Sequence, residues 1–122
     1  RDLKHLEDID QPLTLETIKF KSNSSELSVA NNEELNLLAI AMESQASVTI
    51  KIMGHTDNVG SEGDNMVLSL DRSETVKKYL VAKGIDAGRI KCEGFGSLRP
   101  LMANDTPAGR EHNRRVEIEV VH

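Results

Sequence analysis

Apolar and polar residues alternate in four short stretches of the chain, the period expected of half-buried strands. The apolar members are Ile18 and Phe20, then Val48, Ile50 and Ile52, then Ile90 and Cys92, and finally Val116, Ile118 and Val120. In two other segments, core-type residues recur at the spacing of an α-helix. They carry Leu35, Leu38, Ala39, Met42 and Ala46 within residues 28–46, and Leu68, Arg72, Val76 and Leu80 four residues apart. The pattern therefore predicts the order β-α-β-α-β-β.

The predicted helices have recognisable ends. Ser28 is a suitable N-cap for the first helix, and Asn31 with Glu34 forms a competing capping box. Gly84 is expected to end the second helix in a left-handed conformation, with Ile85 folding back on the last turn as in a Schellman motif.

Strands that all alternate indicate a sheet with one face open to water. We therefore predict an α+β fold, a two-layer sandwich in which the helices cover one face of a four-stranded mixed sheet. Residues 97–113 contain two prolines and a glycine and are interpreted as a long irregular segment. Residues 1–14 are predicted to be an N-terminal extension or linker, with a short docked helix as the alternative, and residues 15–122 form the domain.

Composition and charge argue against several classes of function. The 122 residues suit one domain, and a net charge of -5 argues against general affinity for nucleic acid or anionic lipid. Cys92 is the only cysteine, which excludes an intrachain disulfide and a thiolate metal cluster. No apolar run approaches the roughly 20 residues of a membrane span. The chain starts at Arg1, so we expect any membrane contact to come from a segment outside it.

The candidate chemistry is concentrated in residues 54–72, GHTDNVGSEGDNMVLSLDR, which run from a strand through a polar loop into the second helix. Asp57 lies in the loop, and Arg72 lies on a helical stripe of core-facing positions. An internal salt bridge between the two, fixing the loop to the helix, is the simplest structural role for them.

Three motifs together resemble a known family. GHTD at residues 54–57, LSLDR at residues 68–72 and NRRVEIEV at residues 113–120 occur in the order seen in the OmpA-like peptidoglycan-binding domain of OmpA, Pal lipoproteins and MotB. FKSNSSEL at residues 20–27 and RIKCEGFGSLRP at residues 89–100 extend the resemblance over most of the chain. Lys21 departs from the family, which often has Asp there, and alters the charge at the mouth of the site.

The resemblance implies roles for six residues. In the family, an aspartate and an arginine grip the diaminopimelate of the peptidoglycan stem peptide, and the matching residues are Asp57 and Arg72. An acid suits the ammonium of that amino acid, and a guanidinium suits its carboxylate. Unpaired N–H groups at the start of the second helix favour the same carboxylate. The supporting residues implied are Asn23, Thr56, Asn65 and Arg115.

Each supporting residue also has an ordinary structural role. Asn23 could form a turn, Asn65 could cap the second helix, and Thr56 could satisfy loop backbone. Arg115 could pair with Glu117 or Glu119, its neighbours on the outward face of the last strand.

A metal or hydrolase site has less support. His55 and Asp57 form an H-x-D pair, but a third metal ligand is missing from the pattern, and no serine lies in a G-x-S-x-G elbow. We expect no metal and no cofactor. The more ordinary role for His55 is packing or bonding at the end of its strand.

The resemblance implies a non-enzymatic module in the periplasm that tethers an envelope protein to peptidoglycan. A stator or protein-interaction module, with a homodimer as in stator-type members, is the alternative; a cell-wall hydrolase is another. The main hypothesis needs Asp57 and Arg72 to face one accessible pocket. Asp57→Ala or Arg72→Ala is then expected to abolish binding without unfolding the domain.

Overall fold

The computed structural model describes residues 3–21, 23–27 and 31–122. These residues form a mixed four-stranded sheet in the order β1-β4-β2-β3, in which β2 is parallel to β3 and the other pairs are antiparallel. The strands are β1 (Leu13–Thr14), β2 (Thr49–Gly54), β3 (Ile90–Gly94) and β4 (Val116–Val121), and the helices are α1 (Glu33–Ser44), α2 (Glu62–Ala82) and α3 (Pro107–Asn113). The fold is α+β, as predicted.

The core lies between the sheet and the helices α1 and α2. Along β4, Val116, Ile118 and Val120 are buried and the residues between them are half-buried, so the predicted alternation is confirmed. Leu38 of α1 and Leu80 of α2 are buried against this face. Burying one such aliphatic side chain contributes about 1.5–3 kcal/mol, so this seam holds the two layers together.

The end of α2 follows the predicted Schellman geometry. Gly84 has φ +101°, and its N–H donates to the carbonyl of Val81 at 2.9 Å. The N–H of Ile85 donates to the carbonyl of Leu80 at 3.2 Å, and the Ile85 side chain is buried. A left-handed residue without a Cβ therefore turns the chain back toward β3.

The start of α1 differs from the prediction. The N-cap is Asn32, whose side-chain oxygen accepts the N–H of Leu35 at 2.9 Å. The expected capping box at Asn31 is one residue too early, and Ser28 lies outside the described residues. Several polar residues precede this helix, and only the backbone path selects which of them caps it.

The first strand lies earlier than predicted. Ile18 and Phe20 are buried in the core, but their backbone is irregular and β1 is instead the pair Leu13–Thr14, with Leu13 opposite Ile118 of β4. Alternating burial needs only an extended chain crossing the core, whereas a strand also needs a neighbour to pair with. The pattern was therefore correct about burial and wrong about pairing.

The described part of the N-terminal extension packs on the domain. Leu6 is fully buried in a 3-10 turn, and its N–H donates to Oε1 of Gln45 at 2.7 Å. Nε2 of Gln45 donates back to the carbonyl of Leu3 at 2.8 Å. The boundary at residue 14 stays a prediction, but this extension supplies β1 and a core side chain.

The segment predicted to be irregular contains α3, which is a correction. Thr106 is its N-cap, accepting the N–H of Gly109 at 3.0 Å, and Pro107 occupies the first turn. The helix has seven residues and no apolar stripe, so periodicity could not reveal it. The order of elements is therefore β-α-β-α-β-α-β. None of the described helices combines the length and the apolarity that crossing a bilayer requires.

Candidate functional site

Two glycines bring α2 close to the ends of β2 and β3. A Cβ added to Gly54 would lie 1.9 Å from the carbonyl oxygen of Ser69, and one added to Gly94 would lie 2.5 Å from the N of Leu70. The hydroxyl of Ser69 also accepts the N–H of Gly96 at 2.8 Å. This close approach fixes the first turns of α2 beside the loop that follows β2.

Arg72 projects from α2 and is fully buried. Its Nε donates to the carbonyl of Ser24 at 2.9 Å, Nη2 to the carbonyl of Lys21 at 3.1 Å and Nη1 to the carbonyl of His55 at 3.1 Å. The guanidinium also lies 5.0 Å from the ring centroid of Phe20. Arg72 therefore joins α2, the end of β2 and the turn at residues 21–24.

Asp57 is 5% exposed and has a different partner from the one expected. Its Oδ1 accepts the N–H of Val59 at 3.0 Å, and its Oδ2 accepts Nη1 of Arg114 at 2.8 Å. Among the ion pairs of the described residues, none joins Asp57 to Arg72. The predicted salt bridge between those two is therefore wrong, and Arg114 takes the place of Arg72.

Asp57, Arg72 and Arg114 remain electrostatically coupled. Burial, together with repulsion from Arg114, lowers the pKa of Arg72 to about 10, and attraction to Asp57 partly opposes that shift. Two guanidinium groups thus lie near one carboxylate, in a part of the protein with little solvent to screen them.

A cavity of about 470 Å³ opens beside this cluster. Its polar lining includes Lys19, Lys21, Ser24, Glu26, Glu111 and Arg114. The carbonyls of Lys21 and Ser24 are two of the acceptors of Arg72, so the buried guanidinium lies directly behind the cavity wall. Neither Asp57 nor Arg72 lines this cavity, and they are 5% and 0% exposed, so the expectation that both face an open pocket is not met. Arg114, the partner of Asp57, does line it.

A larger cavity, about 600 Å³, lies between the N-terminal segment and α1. It is lined mainly by leucines, and its charged residues are Glu16, Glu33 and Glu34. The described residues that line it include no lysine or arginine, so we place the candidate site at the smaller cavity, whose lining has both acids and bases.

Thr56 and Asn65 support the loop that carries Asp57. Thr56 is buried, and its hydroxyl donates to the carbonyl of Asp57 at 2.7 Å. Nδ2 of Asn65 reaches the same carbonyl at 3.4 Å. Ser61 caps α2, so the alternative role of Asn65 as the N-cap is wrong, while the role of Thr56 in satisfying loop backbone is confirmed.

Asn23 forms the turn beside the cavity. It has φ 60°, a left-handed conformation that asparagine tolerates better than most residues, and the N–H of Ser24 donates to the carbonyl of Lys21 at 3.0 Å. The turn-forming alternative is confirmed. Lys21 and Ser24, rather than Asn23, line the cavity.

Arg115 belongs to a second cluster. It is 6% exposed, its Nη2 donates to the carbonyl of Arg99 at 2.9 Å, and its Nε lies 3.5 Å from Oε2 of Glu117. Burial lowers the pKa of Arg115, and Glu117 opposes that shift. The alternative pairing with Glu117 is therefore confirmed, and a ligand-binding role for Arg115 stays a prediction.

His55 lies in the same second cluster. Its Nε2 is 2.9 Å from Oε1 of Glu117, and its ring stacks on Phe95 with centroids 5.4 Å apart. Burial lowers the pKa of His55, and the hydrogen bond from His55 lowers the pKa of Glu117. Across the described parts of the chain, no three acidic, histidine or cysteine side chains are grouped to hold a metal ion.

Arg114 is the site residue that sequence reasoning missed. It directly follows α3, and its N–H donates to the carbonyls of Arg110 and Glu111 at 3.1 and 3.2 Å. Thr106 followed by Pro107 is a helix-start signal that could have revealed α3. Recognising that helix would have shown that Arg114 lies between α3 and β4, so the inward and outward alternation of β4 does not determine its direction.

Residues 19–114 match the family model described as OmpA family, and they include the loop, α2 and the cavity lining. The chain belongs to the OmpA family. The peptidoglycan-binding protein ArfA of Mycobacterium tuberculosis is 43% identical over 103 residues, which are 84% of this chain and 32% of ArfA. The OmpA-family chain thus spans about a third of that relative's length.

Solved structures agree with the fold. The peptidoglycan-associated lipoprotein of Burkholderia pseudomallei superposes with TM-score 0.81 at 23% identity, covering 85% of this chain and 88% of the lipoprotein. The cell wall anchor of the T6SS from Pseudomonas aeruginosa superposes with TM-score 0.72 at 30% identity, covering 90% and 78%. The OmpA-family domain therefore shares its architecture with proteins whose names refer to the cell wall.

Proposed function

We propose that this OmpA-family domain binds peptidoglycan through the diaminopimelate of the stem peptide, without catalysis. Its similarity to a relative named as peptidoglycan-binding supports the polymer as the ligand. The observation that carries the proposal is that Arg114, which lines the cavity, is paired with the buried Asp57, while Arg72 lies behind the cavity wall. An acid and bases at one cavity suit an amino-acid head that carries both an ammonium and a carboxylate.

In this proposal, Asp57 accepts hydrogen bonds from the ammonium of diaminopimelate. Arg72 receives the side-chain carboxylate when the turn at residues 21–24 shifts and the ligand replaces the carbonyls of Lys21 and Ser24. The exchange replaces neutral carbonyl acceptors by a carboxylate, which carries the opposite charge and can take the guanidinium in a bidentate pair. A stem peptide with lysine lacks this carboxylate and should bind more weakly.

The affinity should be moderate. A few charge-assisted hydrogen bonds of about 1.5–3 kcal/mol each, reduced by desolvation and ordering costs, correspond to micromolar-range binding of a free fragment. Many copies acting on one polymer would hold an envelope protein firmly in the periplasm, because linked binding events strengthen one another. Thr56, Asn65 and Asn23 shape the loop and turn that must hold the ligand.

Isothermal titration of the domain with two stem tripeptides, one ending in diaminopimelate and one in lysine, tests the proposal. We expect the diaminopimelate peptide to bind at least tenfold more tightly, because one charge-assisted pair is worth about that factor. Asp57→Asn should remove binding, and Asp71→Asn, which neutralises an exposed acid of α2, is the matched control. Equal binding of both peptides would contradict the proposal.

Co-sedimentation with purified cell wall separates binding from turnover. If the domain only binds, it should sediment with the cell wall, and no peptide or sugar fragments should appear in the supernatant. Release of soluble fragments that grows with time would show that the domain is a hydrolase instead.

A further inference from the structure

The strand β3 forms an open edge of the sheet. Of the strands in the described residues, it pairs only with β2. The N–H of Phe95 donates to the carbonyl of Gly54 at 3.1 Å, which sets the phase of this parallel ladder. In that phase, the backbone N–H and C=O groups of Cys92 and Gly94 point away from β2. A row of backbone groups that points out of a sheet is a template on which another strand can pair.

The outward face of β3 is self-complementary in charge. Lys91 is exposed, and no ion pair within the described residues includes it. The Glu93 side chain is 45% exposed and lies 3.3 Å from Lys51. If two copies of β3 pair antiparallel about Cys92, Lys91 of each copy lies directly opposite Glu93 of the other. These would be non-hydrogen-bonded pairs, in which the Cα atoms are about 4.5 Å apart and the side chains approach closely.

The helix α2 follows the same edge in the opposite direction. A Cβ on Gly94 would lie 2.5 Å from the N of Leu70, and Cys92 forms a side-chain hydrogen bond with Ser73. Leu70 and Val81 are 37% and 40% exposed, so α2 presents apolar side chains toward both ends of the edge. The groove between α2 and β3 measures about 490 Å³ and contains an acid and two bases, which are Glu74, Lys77 and Lys78. A second copy would therefore meet both signs of charge there.

We propose that a second copy of this chain binds at this edge, with the two β3 strands antiparallel about Cys92. Cys92 of each copy exchanges both backbone hydrogen bonds with Cys92 of the other copy. The N–H of Gly94 donates to the carbonyl of Ile90 of the other copy. The two four-stranded sheets then form one continuous sheet. Such an interface uses the same surface on both copies, so it closes as a dimer and does not propagate.

The charges select this register. A lysine on an edge strand often serves to prevent pairing with another chain. Shifting the axis to Lys91 would place Lys91 opposite itself, and shifting it to Glu93 would place Glu93 opposite itself, so both neighbouring registers bring like charges together. Only the axis at Cys92 makes both pairs attractive. Lys91 and Glu93 thus permit one arrangement of two copies and oppose the adjacent ones.

The dimer is independent of the proposed function. None of the residues that line the candidate cavity beside Arg114 lies on β3 or on the flanking face of α2. A dimer would therefore carry two such cavities, and two linked sites hold one polymer more firmly than a single site.

Sedimentation equilibrium with charge-reversal variants tests this inference. The wild-type domain should show a monomer–dimer equilibrium. Lys91→Glu and Glu93→Lys each place like charges opposite one another at two symmetric positions, and each should weaken the dimer by about tenfold or more. The double variant Lys91→Glu with Glu93→Lys restores opposite charges and should recover most of the wild-type dimerisation. Glu43→Lys makes the same charge change at an exposed position of α1 and should leave the dimer unchanged.

Hydrogen exchange locates the interface. The amides of Cys92 and Gly94 should exchange more slowly at high protein concentration than at low concentration, because they become interchain donors. Circular dichroism checks that each variant is folded. A wild-type domain that stays monomeric at every concentration would overturn the inference, as would a dimer that neither single reversal weakens or that the double variant does not recover. Binding of stem peptides is measured separately, so failure of the dimer would leave the proposed function standing.

Discussion

Replacing Arg72 should destabilise the domain, because its guanidinium links α2 to the end of β2 and to the turn that precedes α1. Arg72→Ala removes three hydrogen bonds to the carbonyls of Lys21, Ser24 and His55. Bonds from a charged donor are worth about 1.5–3 kcal/mol each, but the variant also escapes the cost of burying the guanidinium. The net loss should be about 3–5 kcal/mol, because each carbonyl left without its donor costs about 1–3 kcal/mol and the avoided burial of the guanidinium offsets part of that sum.

Such a loss is a large part of the 5–15 kcal/mol that stabilises a typical domain. It corresponds to a drop in Tm of about 10–25 °C for a chain of this size. The expectation that Arg72→Ala abolishes binding without unfolding is therefore replaced by one in which stability falls as well.

Urea unfolding followed by circular dichroism measures the free energy of unfolding directly. Lys78→Ala, an exposed change on the same helix, should stay within about 0.5 kcal/mol of wild type. Arg72→Lys should be intermediate, since its single nitrogen cannot reach three separated carbonyls. If Arg72→Ala unfolded within 1 kcal/mol of the wild-type domain, the three bonds would not be holding the turn, and the reasoning would be refuted.

Two further predictions concern other parts of the molecule. Gly54→Ala should lower the Tm by at least about 10 °C, because the added Cβ would meet the carbonyl oxygen of Ser69 at 1.9 Å. Gly63→Ala, in α2, places its Cβ in open space and should be neutral or slightly stabilising. Equal Tm values of the two variants by calorimetry would contradict this prediction. Stability should fall as the pH drops below 6.5, since burial holds the folded-state pKa of His55 below that ordinary value and the unfolded state then binds more protons. The lowered pKa of Glu117 acts in the same direction below 4.5. Urea titrations from pH 7.5 to 5 should show the free energy of unfolding of the wild-type domain decreasing with falling pH, and a smaller decrease in His55→Gln. An equal decrease in the variant would contradict the assignment of this pH dependence to His55.

Much of the fold could be predicted because local physics controls it. The alternation in β4 and the left-handed Gly84 after α2 depend on neighbouring residues in the chain, and both are as predicted. The resemblance of the three motifs also led to the correct family, which the match to residues 19–114 shows.

The misplaced elements share a physical cause. Ile18 and Phe20 are buried, yet β1 lies at Leu13–Thr14, because strand pairing depends on which neighbour is available and not on the strand's own sequence. The helix α3 is too short to show a period, and only its N-cap Thr106 followed by Pro107 marks its start.

The sequence by itself determined the residue types at the site and the loop and helix that carry Asp57 and Arg72. Only the tertiary structure decided their partners. Arg72 donates to backbone carbonyls of a turn about fifty residues earlier in the chain, and Asp57 pairs with Arg114, which lies 57 residues later. Partners so distant in the chain are selected by how the elements pack in three dimensions, and no local pattern encodes that choice.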